Sequence, residues 1–360
     1  MSHPVPLPLP LLRCLNQQIL TPQFDKPEAL VDWMGAVQAQ QFAAAKWALG
    51  LRLKGTSTVQ QIDDALCSGQ LVRTHVMRPT WHFVAGKNIR WLLALSKEGN
   101  KRQSNGYLKS GGVVISPEDY VKSLLCVEKA LQGHKSLTAQ ELAPYFTQAG
   151  LPFSEIHLKG YIWNAEYEGL ICNGRVEGTQ ITYALLEEQV SPAPTPSKEE
   201  ALVQLAHCYF RSHSPATQKD FMSWSGLKVS EVKIAMKGLE SHVQTETIDG
   251  TTWYIHDQSR TKGNLSQAFN LLPPFDEYLI GYADRTHVLP KAFYPKAFTN
   301  YGIFYPVIQY QGQVIGNWEA TKKTKGLQWK CTYFRESPAP EELVTPVQQQ
   351  YAAFMASPGA

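Results

Sequence analysis

The sequence predicts an α+β protein built from tandem winged-helix domains, each a helix-turn-helix followed by a β-hairpin wing, with a β-rich C-terminal region. Three observations lead there. Three stretches repeat one order of patterns: a helical start, a short helix pair, then two β-rich runs joined by a turn. The hexapeptide Ser191-Pro192-Ala193-Pro194-Thr195-Pro196 sustains neither helix nor sheet and separates the second stretch from the third. Beyond the third stretch the chain turns β-rich.

The first winged-helix domain is placed at 1–112 and includes a proline-rich arm at 4–10. Residues 27–53 are helical in composition, with Leu30, Met34 and Val37 spaced to form one buried face. A further helix is expected at 58–68. Residues 72–77 and 80–85 alternate around Arg78-Pro79 as a β-hairpin, and 87–97 return to helix. The second domain spans 113–190. Ser116 caps its first helix, Pro117 fits the first helical position, and the helix runs to about Leu131. Thr138 and Glu141 are spaced as a capping box for the next helix. Residues 156–168 form the recognition-type helix, and 170–173 with 180–186 are paired strands around a turn at 174–178. After the 191–196 linker, the third domain covers 197–258, with helices at 198–211, 217–224 and 228–239 and a hairpin at 243–255 through Asp249-Gly250. The region 259–360 holds strands at 304–310 and 313–319 joined at Gln311-Gly312. A further strand at 328–334 follows a turn at 324–326, and a helix at 341–355 closes the chain.

A chain of 360 residues with 43% hydrophobic content is long enough for two or three domains with buried cores. The longest apolar runs, such as Trp91-Leu92-Leu93-Ala94-Leu95, fall far short of the roughly 20 residues of a membrane span, so a soluble protein is expected. The proline-rich start lacks the basic and apolar regions of a secretory signal. Six cysteines without a C-x-x-C pair argue against a zinc ribbon or redox motif and fit reduced thiols in a cytoplasm. The net charge of +3 identifies no partner, because what matters is where charges cluster. The sequence contains no G-x-S-x-G, P-loop, G-x-G-x-x-G or zinc-deaminase signature. The hydrolase, nucleotide-triphosphatase, dinucleotide and deaminase readings tied to those motifs therefore drop out. No metal and no cofactor is expected.

Two clusters carry chemistry on the residues alone. Lys322, Lys323 and Lys325 lie between two expected strands, so three ammonium groups would project from a hairpin tip toward a polyanion; a solvated turn kept basic against edge pairing is the other reading. The segment 73–82 packs Arg73, His75, Arg78, His82 and Trp81 into one hairpin, with Arg73, His75 and Met77 sharing a face. Such density makes either a site wall or an internal hydrogen-bond network. The weaker basic run 97–109 reads as an exposed helix end. Gln38-Ala39-Gln40 is ordinary by composition, and two residues that far apart on a continuous helix point about 200° apart. For both glutamines to act together the helix must end or distort near Ala39.

With these residues in view, the sequence resembles the AlkZ/YcaQ family of winged-helix DNA glycosylases. Met34-Gly35-Ala36-Val37-Gln38-Ala39-Gln40 and Ala45-Lys46-Trp47-Ala48-Leu49-Gly50-Leu51-Arg52-Leu53 are similar to its N-terminal signature, as are Val72-Arg73-Thr74, Arg78, Thr80 and His82. Gly169-Leu170-Ile171-Cys172, Ser212-His213-Ser214-Pro215-Ala216-Thr217 and Leu271-Leu272-Pro273-Pro274-Phe275-Asp276-Glu277-Tyr278-Leu279 also fit. The resemblance implies hydrolytic excision of N7-alkylated purines, including unhooking of interstrand crosslinks, with Gln38 and Gln40 of a Q-Φ-Q motif as the catalytic pair. It further implies double-stranded DNA with alkylated or crosslinked purines as partner, and the two clusters above then supply the expected DNA-contacting residues, Arg73, His75, Arg78, His82, Lys322, Lys323 and Lys325. A monomer suffices, in a cytoplasmic, nucleoid-associated setting without membrane contact. Gln41 stands where many relatives have an acid, and Pro79 where glycine is commoner. The alternative is a non-catalytic winged-helix transcriptional regulator whose glutamines are surface residues.

Overall fold

A computed structural model describes residues 8–176, 180–248, 250–263, 268–324, 326–336 and 339–356. It is a mixed α/β structure. The chain begins with α1 (Leu9–Asn16), α2 (Pro27–Met34), β1 (Val37–Gln38), α3 (Phe42–Gly50) and α4 (Val59–Cys67). The strands β2 (Leu71–Val76) and β3 (Thr80–Ala85) then pair in a six-rung antiparallel hairpin, followed by the long helix α5 (Ile89–Ser110). Ser116 accepts the N–H of Asp119 at 3.0 Å and so caps α6 (Pro117–Leu131). The strand β4 (Leu137–Thr138) leads into α7 (Ala139–Gln148), which starts on the expected Thr138–Glu141 capping box. Next come α8 (Glu155–Tyr167), β5 (Ile171–Asn173), β6 (Thr182–Leu185) and α9 (Leu186–Gln189).

Residues 191–197 have no regular structure, and α10 (Lys198–His213) follows. A second box, Thr217 with Asp220, opens α11 (Gln218–Ser225), which ends at Gly226 with φ 71°. Then come α12 (Val229–Leu239), the paired strands β7 (Val243–Ile248) and β8 (Thr251–His256), β9 (Phe269–Leu272) and α13 (Glu277–Ile280). The chain closes with α14 (Tyr294–Ala297), β10 (Val307–Tyr310), β11 (Gln313–Lys323), β12 (Gly326–Tyr333) and α15 (Glu341–Ala356). Three expected turn positions, part of 174–178 together with Asp249 and Lys325, lie outside the described residues, as does most of the proline-rich arm.

Three readings need correction. Residues 27–53 are not one helix. The helix α2 stops at Gly35, whose φ of 82° and whose approach to Cys208, 2.8 Å from an added Cβ, suit only glycine. The chain then runs extended through β1 and resumes as helix at Phe42. Second, Met77 does not share a strand face with Arg73 and His75. Its φ of 61° puts it in the turn, where its N–H donates to Ser96 Oγ at 2.6 Å. Third, the helix expected at 87–97 continues to Ser110 and takes in the basic run, where Glu168 pairs with Lys97 and Lys101. The end of the arm forms α1, whose Arg13 and Asn16 are buried despite their polarity.

Contacts divide the chain into two compact units, Met1–Ile62 with Val203–Ala360, and Asp63–Leu202. The first contains an antiparallel sheet in the order β12-β11-β10-β9. Its α15 packs on α3 and β9, bringing Tyr351 and Phe354 to 5.1 Å and 5.4 Å from Trp47. The indoles of Trp47 and Trp318 donate to the Leu271 and Leu272 carbonyls, both at 2.8 Å, which ties the sheet edge to these rings. The second unit has its core among α5, α6, α7 and α8, where Leu108, Val127, Leu131, Leu142, Phe146 and Tyr161 are packed together. The later half of α8 is buried in that core and only its earlier half is open. Among the described residues no helix is long and apolar enough to cross a membrane.

Candidate active site

In an uninterrupted helix the N–H of Gln38 would bond the carbonyl four residues back. Here it donates instead to Glu277 Oε1 at 2.7 Å, so a tertiary acceptor replaces the helical one where the chain is extended. Gln38 is 8% exposed, Ala39 is buried, and Gln40 and Gln41 are exposed. The break removes the 200° separation a continuous helix would impose on the two amides, which is the geometric condition the pair requires.

Glu277 is fully buried. Its other oxygen, Oε2, accepts from the Trp224 indole at 3.0 Å, and His213 Nε2 lies 3.7 Å from the same atom. Burial holds the His213 imidazole below its ordinary pKa, outweighing the opposite pull of the Glu277 carboxylate. Asp276, one residue earlier, caps α13 by accepting the N–H of Tyr278 at 2.9 Å. It also meets Arg52 in a bidentate pair at 2.7 Å and 2.8 Å. Arg52 donates onward to the carbonyls of Gln17 and Ala48, at 3.0 Å and 2.9 Å. A connected polar network thus runs from α1 and α3 through Asp276 and Glu277 to the backbone of Gln38. By sequence, Asp276 and Glu277 enter only as part of a resemblance. The signal that could have found them is two adjacent acids inside the apolar run 271–280, where a carboxylate needs partners.

In the Asp63–Leu202 unit, Arg73 and His75 come together with aromatic and acidic neighbours. The Arg73 guanidinium sits 4.1 Å over the Trp81 ring and donates to Asn173 Oδ1 at 3.3 Å. Burial pushes its pKa down to about 10, against the pull of Glu166. His75 Nδ1 lies 2.8 Å from Glu166 Oε2, and its ring is 3.8 Å from that of Trp81. His82 is fully buried, with Nδ1 2.9 Å from the Thr80 carbonyl, and Arg78 is half-buried at the turn. These contacts tie Arg73 to Asn173 and Trp81, and His75 to Glu166 and Trp81. Lys322 and Lys323 are exposed at the end of β11, where Lys323 is paired with Gly326; Lys325 lies outside the described residues. Further along the same ladder, Trp329 lies on the rung of Ala320 and Trp318 on the rung of Cys331, with ring centroids 6.0 Å apart. Among the described residues no group of three or more His, Cys, Asp or Glu side chains is placed to hold a metal ion.

A family model described as DNA glycosylase AlkZ-like matches residues 31–356. No curated protein matches the chain. Among solved structures, the chain is similar to the Streptomyces sahachiroi DNA glycosylase AlkZ, with a TM-score of 0.76 and 19% identity over 96% of this chain and 95% of that one. At that identity the likeness concerns the fold.

Proposed function

Since the chain belongs to the AlkZ-like family of DNA glycosylases, we propose that it removes N7-alkylated purines from double-stranded DNA by hydrolysing the N-glycosidic bond, with Gln38 and Gln40 as the catalytic pair. The observation that carries this reading is the break between α2 and α3, which leaves Gln38 extended and held by the Glu277 carboxylate. N7-alkylation already makes the base a cationic leaving group, so no general acid is required, and the barrier lies in forming an oxocarbenium-like sugar. Amide oxygens orient the attacking water and place negative dipole density beside the developing cation. Positioning supplies much of the rate. The Glu277 oxygen that accepts the Gln38 N–H fixes the backbone of that segment.

The reading extends to architecture. Winged-helix domains at 1–112, 113–190 and 197–258 contain the hairpins β2–β3, β5–β6 and β7–β8 respectively and bind the DNA, with the β-rich region 259–360 beyond the 191–196 linker. Lys322, Lys323 and Lys325 contact phosphate from the β11–β12 hairpin, and Arg73, His75, Arg78 and His82 support the DNA site. A crosslinked base resists flipping, so an open site that reacts with the base in place would also unhook interstrand crosslinks.

The test is incubation with duplexes carrying N7-methylguanine or an N7-linked crosslink, followed by detection of abasic sites. Removal of a single transition-state dipole typically costs about 10²–10³ in rate. Gln38→Ala and Gln40→Ala should each lose about that much while still binding the duplex. Binding with no base release by the unaltered protein would discard the enzyme reading and leave a DNA-binding regulator.

A further inference from the structure

The Asp63–Leu202 unit contains a second feature suited to a ligand, a cleft of about 440 Å³ enclosed by α5, α6 and α8. That volume lies within the roughly 300–1,000 Å³ typical of small-molecule sites. Ser104 and Asn105 of α5, Tyr120 of α6, and Trp163, Asn164 and Tyr167 of α8 line it. Most of the polar groups on its wall answer one another. The Ser104 and Tyr167 hydroxyls share a hydrogen bond of 2.8 Å, and the Tyr120 hydroxyl donates to Asn105 Oδ1 at 3.0 Å. Asn164 is the exception. It is 7% exposed, yet its side-chain amide has no hydrogen-bond partner among the described residues. The amide is not sealed from the cleft it lines, so a ligand there can meet its donor and its acceptor.

We propose that this cleft binds a purine ring, with Asn164 reading its edge and the aromatic side chains contacting its face. A carboxamide presents a donor and an acceptor side by side, the complement of the N6 and N7 positions of adenine. Trp163, Tyr120 and Tyr167 supply stacking surface, to which flat bases are suited. Exposed Val121 at the cleft and Tyr107, whose ring stands 5.5 Å from that of Trp163, extend the apolar rim. The ring can come from a free nucleoside or from a base in a single strand. The proposal does not depend on base excision by Gln38 and Gln40.

Equilibrium dialysis of the full chain against adenosine, uridine and ribose tests it. Adenosine should saturate one site, with uridine and ribose at least about tenfold weaker. Asn164→Leu, which keeps the volume and removes the amide, should weaken adenosine by about tenfold or more. Circular dichroism and a cooperative melt identify whether that variant is folded, and Trp163→Leu gives a second variant with the same expected loss. Displacement of adenosine by an oligothymidine carrying a single deoxyadenosine assigns a strand-borne base. Failure to displace, with adenosine binding intact, assigns the free nucleoside. No saturable adenosine binding, equal binding of uridine, or undiminished binding by the folded variants would overturn the proposal.

Discussion

A fully buried carboxylate destabilises a fold unless donors meet it, and for Glu277 those donors are the Gln38 N–H and the Trp224 indole. The acid therefore works through another residue: it positions the backbone of Gln38. In Glu277→Gln the shape is kept, but one oxygen becomes an NH₂ group facing a donor. Unfolding free energy should fall by about 1–3 kcal/mol, as expected for an unmet buried donor. Base release should fall in kcat while duplex affinity holds, since the amide pair is displaced and the DNA contacts are not. Urea unfolding together with single-turnover kinetics checks this, and a variant of unaltered stability and rate would remove Glu277 from that role. The acid was hidden in the sequence for a physical reason: a glutamate beside Asp276 looks like surface charge until the partners that make it tolerable in the interior are brought together from residues 38 and 224.

The break between α2 and α3 is an element-scale event with a local cause and a distant one. The local cause is Gly35, legible in the sequence as a glycine inside a helical pattern. The distant one is Cys208, whose Cβ would lie 2.8 Å from a Cβ at position 35. Gly35→Ala combines a left-handed backbone with that clash and should cost more than about 1 kcal/mol in denaturant unfolding; a neutral result would mean the break is set elsewhere. The β11–β12 hairpin was more readable, because a lysine cluster between alternating runs marks a turn whatever it packs against. Its register ends on Lys323 and Gly326. If the tip meets DNA, replacing Lys322, Lys323 and Lys325 with alanine should lower the slope of log affinity against log salt by about 0.9 for each phosphate no longer neutralised. Fluorescence anisotropy at several salt concentrations measures it, and an unchanged slope would place the hairpin away from DNA.

At the scale of the whole molecule, pH acts through the histidines that the Met1–Ile62 and Val203–Ala360 unit buries. His256 accepts the Gln258 N–H at 3.1 Å on Nδ1 and faces His207 Nδ1 at 3.0 Å with Nε2. Burial pushes its pKa down from 6.5 to about 4; Asp257 opposes the shift, while His207, His242 and Arg211 reinforce it. The folded-state pKa lies below the unfolded one, so the unfolded chain binds the proton more readily. Stability is then complete above about pH 6.5 and declines as pH falls toward 4. The lowered pKa of His207 acts in the same direction. Unfolding free energies at pH 7 and pH 5 should differ accordingly, and His256→Asn should flatten the difference. A pH slope unaltered in that variant would assign the acid sensitivity to other groups.

The sequence by itself determined most of the element order and the family. Capping residues such as Ser116 and Thr138 act over three or four positions, and strand alternation is a local period, so both survive without knowledge of the fold. The resemblance strings, spread from Met34 to Leu279, point to the family whose model covers residues 31–356. Only the tertiary structure decided how the Gln38-Ala39-Gln40 segment is held. Its helical composition is overruled because Gly35 meets Cys208 and because the Gln38 N–H finds Glu277, partners that stand 173 and 239 positions further along the chain. The same holds for Arg73 and His75, whose density announced chemistry. Their partners Asn173 and Glu166 are brought to them by packing and are set by no local period.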